Sequence, residues 1–204
     1  MEKNEIRMTE NESILLITSM INKAKNRYSE NGFLYLLWGW LIFTCCLIQF
    51  ISIHFFNFYK VYYAWYSTWA LLIYQIYYLR KNKKKRRVGM YTGEIIGYVW
   101  LVFIITYALF IYIFLYIKAP LGISPAIIAL FGMPTFLSGI ILKFKALKIG
   151  GICCWILSFI APFVDYDYQF LLIACAVVAA WIIPGHLLFQ KFKKEKQYGR
   201  EAII

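Results

Sequence analysis

Few residues in this sequence have side chains that could do chemistry, and their spacing does not bring them together. The 204 residues include 2 histidines and 5 cysteines, and no C-x-x-C, G-x-S-x-G, H-E-x-x-H or P-loop pattern occurs. Adjacent cysteines on a helix point about 100° apart, so the vicinal pairs are poorly placed for disulfides. We therefore expect packing cysteines and a protein that is not an enzyme, with no catalytic residue, metal site or cofactor. The cysteines are Cys45, Cys46, Cys153, Cys154 and Cys175.

Glu94, His54 and His186 are the other residues that could act chemically. Glu94 immediately precedes an apolar run, where a helix N-terminus would stabilise its carboxylate; a proton or cation site is the alternative. His54 follows the first apolar run and His186 lies near the end of the last. At 1.5 Å per residue the two histidines should be about 25 Å apart, too far to share a metal. Glu94 and His186 remain speculative ligand-binding positions.

The elements that must position these residues are apolar runs. The chain is 62% hydrophobic and 16% charged, whereas a soluble domain is about 45–50% apolar and about 25% charged. A helix needs roughly 20 apolar residues to cross a bilayer, and all runs except the fifth approach that length. We therefore predict an all-α polytopic membrane protein with six transmembrane helices. The runs are Phe33 to Ile53, Val61 to Leu79, Ile95 to Ile117, Leu121 to Leu142, Ile149 to Val164 and Phe170 to Phe189.

The distribution of basic residues predicts the orientation. Of the 22 Lys and Arg residues, all except Lys60 and Lys118 lie on alternate flanks of the runs, beginning with the N-terminal flank. Because cytoplasmic loops carry the excess of Lys and Arg, both termini are expected in the cytoplasm of a bacterium, with the protein in its inner membrane. The acidic pair Asp165 and Asp167 then lies outside.

Residues 9–31 have the pattern of an amphipathic helix. Ile14, Ile17 and Ile21 repeat at helical spacing and form one apolar stripe. Such a helix lies on the inner leaflet with its apolar face among the acyl chains, or it docks a second copy or a cytosolic protein. We expect Gly32 to end this helix.

A second candidate surface is the basic run between the second and third apolar runs. Its charges are expected to determine topology and to contact anionic lipid headgroups; a regulatory protein contact is the alternative. Nucleic acid is not an expected partner, because no aromatic residues interleave the charges for base stacking. The run contains Arg80, Lys81, Lys83, Lys84, Lys85, Arg86 and Arg87.

The fourth, fifth and sixth runs carry the helix-breaking residues. Pro134 falls inside the fourth run with Ser138 one turn on, and a proline there removes a helical hydrogen bond. Interrupted helices indicate a transporter site, while ordinary helix packing is the competing interpretation. In the second run, Tyr66, Trp69 and Gln75 could line a cation-binding wall, although an interfacial aromatic belt with ordinary packing is the favoured interpretation.

The segment INKAKNRYSENGFLYLLWGW, residues 21–40, resembles short bacterial polytopic membrane proteins of uncharacterised activity. The resemblance implies no activity, cofactor or site. We divide the chain into a cytoplasmic helix (1–32), a six-helix bundle (33–190) and a basic cytoplasmic tail (191–204). The expected function is that of a non-enzymatic accessory or regulatory binding protein. The alternative is a small-solute transporter, or its substrate-binding subunit, with a cavity among helices four to six.

Overall fold

A computed structural model describes residues 32–56, 58–83, 90–117 and 123–201, and within these ranges the fold is all-helical. Ile14, Ile17 and Ile21, and likewise Lys84, Lys85, Arg86 and Arg87, lie outside the described residues. The elements in chain order are α1 (Gly32–Phe56), a 3-10 helix (Tyr59–Tyr66), α2 (Ser67–Lys83), α3 (Met90–Ile117), α4 (Ile123–Ile141), α5 (Lys145–Ile160), a 3-10 turn (Ala161–Phe163), α6 (Tyr166–Val177), a π turn (Val178–Ile182) and α7 (Ile183–Glu201).

Five of the described helical stretches are long and apolar enough to cross a membrane. Together they confirm the prediction of an all-α, multi-pass membrane protein. The second predicted run is absent from the five because it divides into a 3-10 helix and α2, which has 17 residues. The five stretches are Gly32–Phe56, Ile95–Ile117, Ile123–Ile141, Lys145–Phe163 and Tyr166–Lys191.

The helix of the fifth apolar run, α5, begins earlier than the sequence pattern predicts, because a tight turn immediately precedes it. Phe144 N–H donates to Gly139 O at 2.9 Å, and Lys143 N–H donates to Ile140 O at 3.0 Å. These two bonds form a Schellman motif, with Lys143 in the left-handed conformation at φ 51°. The motif ends α4 and lets α5 begin at once at Lys145. The predicted start at Ile149 is therefore four residues late.

α4 and α5 form an antiparallel hairpin whose helices meet through glycine. A Cβ on Gly151 would lie 2.7 Å from the Cβ of Phe136, and one on Gly139 would lie 2.7 Å from the backbone N of Lys148. The backbones can approach this closely only because both positions lack a side chain. The hairpin packs against the π turn, where a Cβ on Gly150 would lie 2.5 Å from Ala179 O.

α1 pairs antiparallel with the continuous stretch from α6 to α7. Close contacts join Gly32 to Phe189 at one end and Gly39 to Ile182 further along, while His54 meets Asp167 at the other end. The three pairs share one register. Gly32 is the first described residue of α1 and packs against α7. The helix that it was expected to end lies outside the described residues.

The π turn lies immediately before a buried proline. Pro184 has no N–H to give to Ala180 O, and its ring crowds that carbonyl. The preceding turn, Val178–Ile182, widens to the π form, which removes this conflict while the helix continues. Pro184 is fully buried. The helix therefore accommodates Pro184 by a π turn immediately upstream of it.

Candidate functional site in the bundle interior

Five polar or amphipathic side chains from four parts of the bundle meet in its interior. We call Tyr35, Trp100, Thr135, Ser138 and Trp181 the central cluster; they come from α1, α3, α4 and the π turn. The ring centroids of Tyr35 and Trp100 are 5.6 Å apart, and those of Trp100 and Trp181 are 6.0 Å apart. All except Trp100 are buried. The cluster joins helices that are distant in sequence.

One half of the central cluster is fully hydrogen-bonded. The indole N–H of Trp181 donates to Thr135 Oγ1 at 3.0 Å. The Thr135 hydroxyl in turn donates to Phe131 O of its own helix at 2.8 Å. Because both side chains are almost completely buried, this relay satisfies groups that would otherwise be costly inside a membrane. It fixes the π turn against α4.

The other half of the central cluster has no well-aligned hydrogen bond. The Tyr35 hydroxyl lies within reach of the side chains of Ser138 and Trp100. Neither the Tyr35 hydroxyl nor that of Ser138 has a well-aligned hydrogen-bond partner, although both atoms are buried. A buried hydroxyl left without a partner costs about 1–3 kcal/mol. This part of the interior therefore offers free donor and acceptor capacity.

Pro134 is buried in α4 next to Thr135, one turn from Ser138. It cannot donate to the carbonyl of Leu130, so that carbonyl lacks its usual helical partner. Pro134 and Ser138 thus lie in the same part of α4 as Thr135. The side chain beside Ser138 is that of Tyr35 in α1, whereas the predicted cavity lay among the fourth to sixth helices.

A second polar contact joins the opposite ends of α1 and α6. His54 Nδ1 lies 2.8 Å from Asp167 Oδ2. An ionised carboxylate only accepts hydrogen bonds, so Nδ1 carries the proton and donates it. The imidazole stacks on Phe50 at 5.2 Å and packs against Tyr168 at 5.4 Å. The hydrogen bond from His54 lowers the pKa of the Asp167 carboxyl below its ordinary value of 3.8.

The proposed aromatic wall is not enclosed. Tyr66 and Trp69 are 61% and 65% exposed in the bundle, which is the lipid-facing or interfacial position of a belt residue. Gln75 instead points toward α1, where its Oε1 accepts a hydrogen bond from the Trp38 indole at 2.6 Å. The structure therefore separates Gln75 from Tyr66 and Trp69 and gives it a role in docking α2.

The remaining predicted residues are not members of the central cluster. Glu94 falls in the first turns of α3, and His186 is exposed on α7. Nineteen residues separate Asp167, the partner of His54, from His186, about 28 Å of helix. Arg80 and Lys81 are exposed at the end of α2, where Lys83 is the final residue. Of the predicted lipid- or partner-binding set, these three are the ones the structure describes.

The five cysteines form no disulfide. Cys46 and Cys154 are fully buried, and the Cys154 thiol points at Ala176 O, 3.7 Å away. Cys45 lies 3.6 Å from Ser67 Oγ at the contact between α1 and α2. Cys175 is exposed. Cys45, Cys46 and Cys154 are therefore buried in the bundle, where they act as small packing residues.

Sequence reasoning did not find Tyr35, Thr135, Trp100 or Trp181, because they look like ordinary belt or core residues in their own helices. The contact between His54 and Asp167 could have been found. Both residues follow or precede an apolar run on the predicted outer side, so the topology alone places them at one end of the bundle. What was missing was the knowledge that the first and last helices are neighbours.

Comparison of the chain with protein-family models, with curated proteins and with solved structures found no match.

Proposed function

We propose that this chain is a non-enzymatic protein of the bacterial inner membrane that acts by binding, as an accessory or regulatory protein. The observation that supports this proposal is that several of the described interior polar groups join helices. Trp38 and Ser158 each donate a hydrogen bond to a neighbouring helix. Thr135 accepts one from Trp181 in the π turn. Groups committed to joining helices are not free for proton transfer or nucleophilic attack. The binding surfaces are then the cytoplasmic segments, the apolar stripe of residues 9–31 and the basic run.

The proposal includes six membrane spans with both termini in the cytoplasm. The 3-10 helix and α2 together supply the missing span. Eight residues at about 2.0 Å per residue and 17 at about 1.5 Å give about 41 Å of helix. That length exceeds the roughly 30 Å of the hydrocarbon core. Arg80 and Lys81 at the end of α2 then lie on the cytoplasmic side.

Site-specific labelling tests this topology. Lys83→Cys and Asp165→Cys are introduced one at a time into a chain whose native cysteines are replaced by alanine. An impermeant maleimide should label Asp165→Cys on intact cells and Lys83→Cys only after the membrane is opened. Labelling of Lys83→Cys on intact cells, with Asp165→Cys labelled only after the membrane is opened, would show that residues 59–83 do not cross. The unsubstituted cysteine-free chain is the control.

The binding function is tested by purification in a mild detergent. Wild-type protein should retain a stoichiometric cytosolic protein. The substitutions Ile14→Asn, Ile17→Asn and Ile21→Asn should release it, because they remove the apolar stripe without changing the charge. Ser19→Asn together with Asn22→Gln, away from the stripe, should leave it bound. A partner that survives loss of the stripe would overturn this form of the proposal.

A small-solute carrier is the second candidate function. It is favoured by the unpartnered hydroxyls of Tyr35 and Ser138 near the proline-interrupted part of α4. On this view a small molecule should co-purify with the protein and be found in its solvent extract. Ser138→Leu fills the site and should remove that molecule, whereas Ser158→Leu, elsewhere in the hairpin, should not. An extract identical to that of the empty detergent would exclude this candidate.

A further inference from the structure

Lysines from two distant parts of the chain meet around one aromatic ring. The Nζ of Lys191 in α7 lies over the ring of Phe144, 5.9 Å from its centre, and a cation in that position is attracted to the ring. Phe144 stands between Lys143, in the turn after α4, and Lys145, the first residue of α5. All three lysines are exposed. We call Lys143, Lys145 and Lys191 the lysine cluster.

The charge of the lysine cluster is not neutralised by the part of the chain that the structure describes. The single side-chain ion pair among the described residues joins His54 to Asp167, and Asp167 lies at the opposite end of the stretch that Lys191 ends. The first turn of α5 has no acidic residue, and no side chain caps it. Its first N–H groups lack carbonyl partners within the helix and add partial positive charge. The complementary partner is therefore an anion.

The lysine cluster lies where helices leave the membrane. Lys145 begins the apolar stretch Lys145–Phe163, and Lys191 ends the stretch Tyr166–Lys191. Lys143 belongs to the turn that joins α4 to α5. Because α5 and α7 are in contact, these ends lie together at one surface of the bilayer, whichever surface that is. The anions of that surface are the phosphates of lipid headgroups.

Exposed apolar side chains continue from the lysines toward the bilayer centre. Ile149 lies one turn after Lys145 and is 61% exposed, and Leu187 lies one turn before Lys191 and is 45% exposed. Residues four apart share a face of a helix, so each of these lysines has an apolar side chain beneath it. A free phosphate ion gains nothing from such a surface, whereas a phospholipid covers it with its acyl chains. The arrangement therefore favours a lipid.

We propose that Lys143, Lys145 and Lys191 bind the phosphate of one anionic phospholipid. Phe144 is a positioning residue, because its ring holds the Lys191 ammonium beside the turn. A zwitterionic headgroup carries its own cation, which the lysines repel, so the site prefers a headgroup with net negative charge. The site is separate from the basic run that begins at Arg80. The inference stands independently of the proposed function, since it needs a bilayer surface and no protein partner.

Native mass spectrometry of the purified protein in detergent tests the site by counting bound lipids. Wild-type protein should bind one phosphatidylglycerol about tenfold or more tighter than phosphatidylcholine with the same acyl chains, since each lysine near the phosphate contributes about fivefold. Replacing the whole cluster, by Lys143→Gln, Lys145→Gln and Lys191→Gln together, should abolish this preference. Inorganic phosphate should not displace the lipid.

The matched control removes three charges from the basic run, by Arg80→Gln, Lys81→Gln and Lys83→Gln, and should leave the tightest-bound lipid in place. Equal loss in the two triple variants would overturn the proposal, because binding would then follow net charge alone. Equal binding of the two lipids by wild-type protein would overturn it as well. Displacement of phosphatidylglycerol by inorganic phosphate would show a site for a soluble anion and would contradict the lipid assignment.

The role of Phe144 is tested in the same assay. Phe144→Leu should weaken phosphatidylglycerol binding several-fold in the wild-type chain, because Lys191 is then no longer held beside the turn. In the Lys191→Gln background the same substitution should have no further effect. Equal effects of Phe144→Leu in both backgrounds would show that the ring acts on the fold and not on Lys191. Thermal unfolding without added lipid gives the stability of each variant, and the exposed lysine substitutions should leave it unchanged.

Discussion

The hydrogen bond from Trp181 to Thr135 is the clearest polar contact between helices in the bundle. Thr135 has no exposed surface and the indole is 2% exposed, so water does not replace the bond when it is lost. Interhelical hydrogen bonds in membrane proteins contribute modestly, but a stranded buried donor costs more than the bond itself contributes. We therefore expect loss of the Thr135 hydroxyl to lower the free energy of unfolding more than loss of the other described polar side chains.

Thr135→Val should lower the free energy of unfolding by about 1–2 kcal/mol, since it keeps the shape and leaves the Trp181 N–H without an acceptor. Thr106→Val removes an exposed hydroxyl that bonds only its own helix and should cost about 0.5 kcal/mol or less. Unfolding in mixed micelles, followed by tryptophan fluorescence, measures both. Equal effects of the two substitutions would remove the special role given to Thr135.

The contact between His54 and Asp167 predicts a dependence of stability on acid pH. His54 lowers the pKa of Asp167 in the folded protein. The resulting stabilisation is complete above the ordinary aspartate pKa of 3.8 and is lost as pH falls below it through the folded pKa. The melting temperature should therefore fall in that range, and Asp167→Asn should weaken the fall.

Asp165→Asn is the control for this prediction, because it removes the same charge two residues away, at a position with no side-chain capping bond. It should keep the acid dependence of the wild type. Identical pH profiles for wild type and Asp167→Asn, measured by thermal unfolding between pH 3 and pH 7, would show that the pair does not affect stability. Because the pair is partly exposed, a small effect is expected.

At the scale of elements, glycine determines how closely helices approach. Gly150 lies against the backbone of the π turn, with Ala179 O 2.5 Å and the Cα of Ala180 2.8 Å from the position of a Cβ. Neither neighbour is a flexible side-chain end. A methyl group there can be accommodated only by moving a whole helix.

Gly150→Ala should therefore destabilise the bundle by about 1–3 kcal/mol or more, as overpacking does. Gly97→Ala is the matched change, since nothing lies within 4 Å of its Cβ position. It should be neutral or stabilising by up to about 1 kcal/mol, because alanine is the better helix former. Thermal unfolding in one detergent compares them. A harmless Gly150→Ala would mean that α5 and the π turn are less closely packed than described.

The extent to which sequence predicts these elements depends on what defines each boundary. The lengths of the apolar runs predicted α1, α3 and α4, because the thickness of the bilayer alone sets how long such a helix must be. The start of α5 was missed because its turn uses Lys143 in a left-handed conformation, where the pattern leads one to look for glycine. The π turn was missed because Pro184 predicts only a break, and the way a helix absorbs it depends on its neighbours.

At the scale of the whole molecule, the helices differ greatly in how much of them is covered. Buried residues are most frequent in the stretch Tyr166–Lys191, whereas within Ile95–Ile117 only Ile96 is buried. α2 is attached chiefly to α1, through Trp38 and Gln75. The bundle thus consists of a compact group of α1 and α4 to α7, with α2 and α3 at its periphery. Which helices are neighbours could not be read from the sequence, since lipid and protein present equally apolar surroundings to a side chain.

This arrangement predicts unequal amide exchange. In detergent, the backbone amides of α2 should exchange faster than those of α6, because local opening of a peripheral helix breaks fewer packing contacts. Trp38→Phe removes the hydrogen bond to Gln75 and should raise exchange in α2 while leaving α6 unchanged. Hydrogen–deuterium exchange with peptide-level mass spectrometry makes the comparison. Uniform protection of both helices would show that α2 is held more firmly than its contacts indicate.

The π turn has a consequence for how this protein tolerates length changes. Because a π turn takes up one extra residue within an α-helix, loss of one residue within Val178–Ile182 would return that turn to ordinary α geometry and keep the phase of the helix downstream. Gly185 would keep its contact with Leu36, and the cost would be the renewed conflict between the Pro184 ring and the carbonyl four residues before it. A single-codon deletion in this short stretch should thus be less harmful than one in an ordinary α turn, where everything downstream rotates by about 100°.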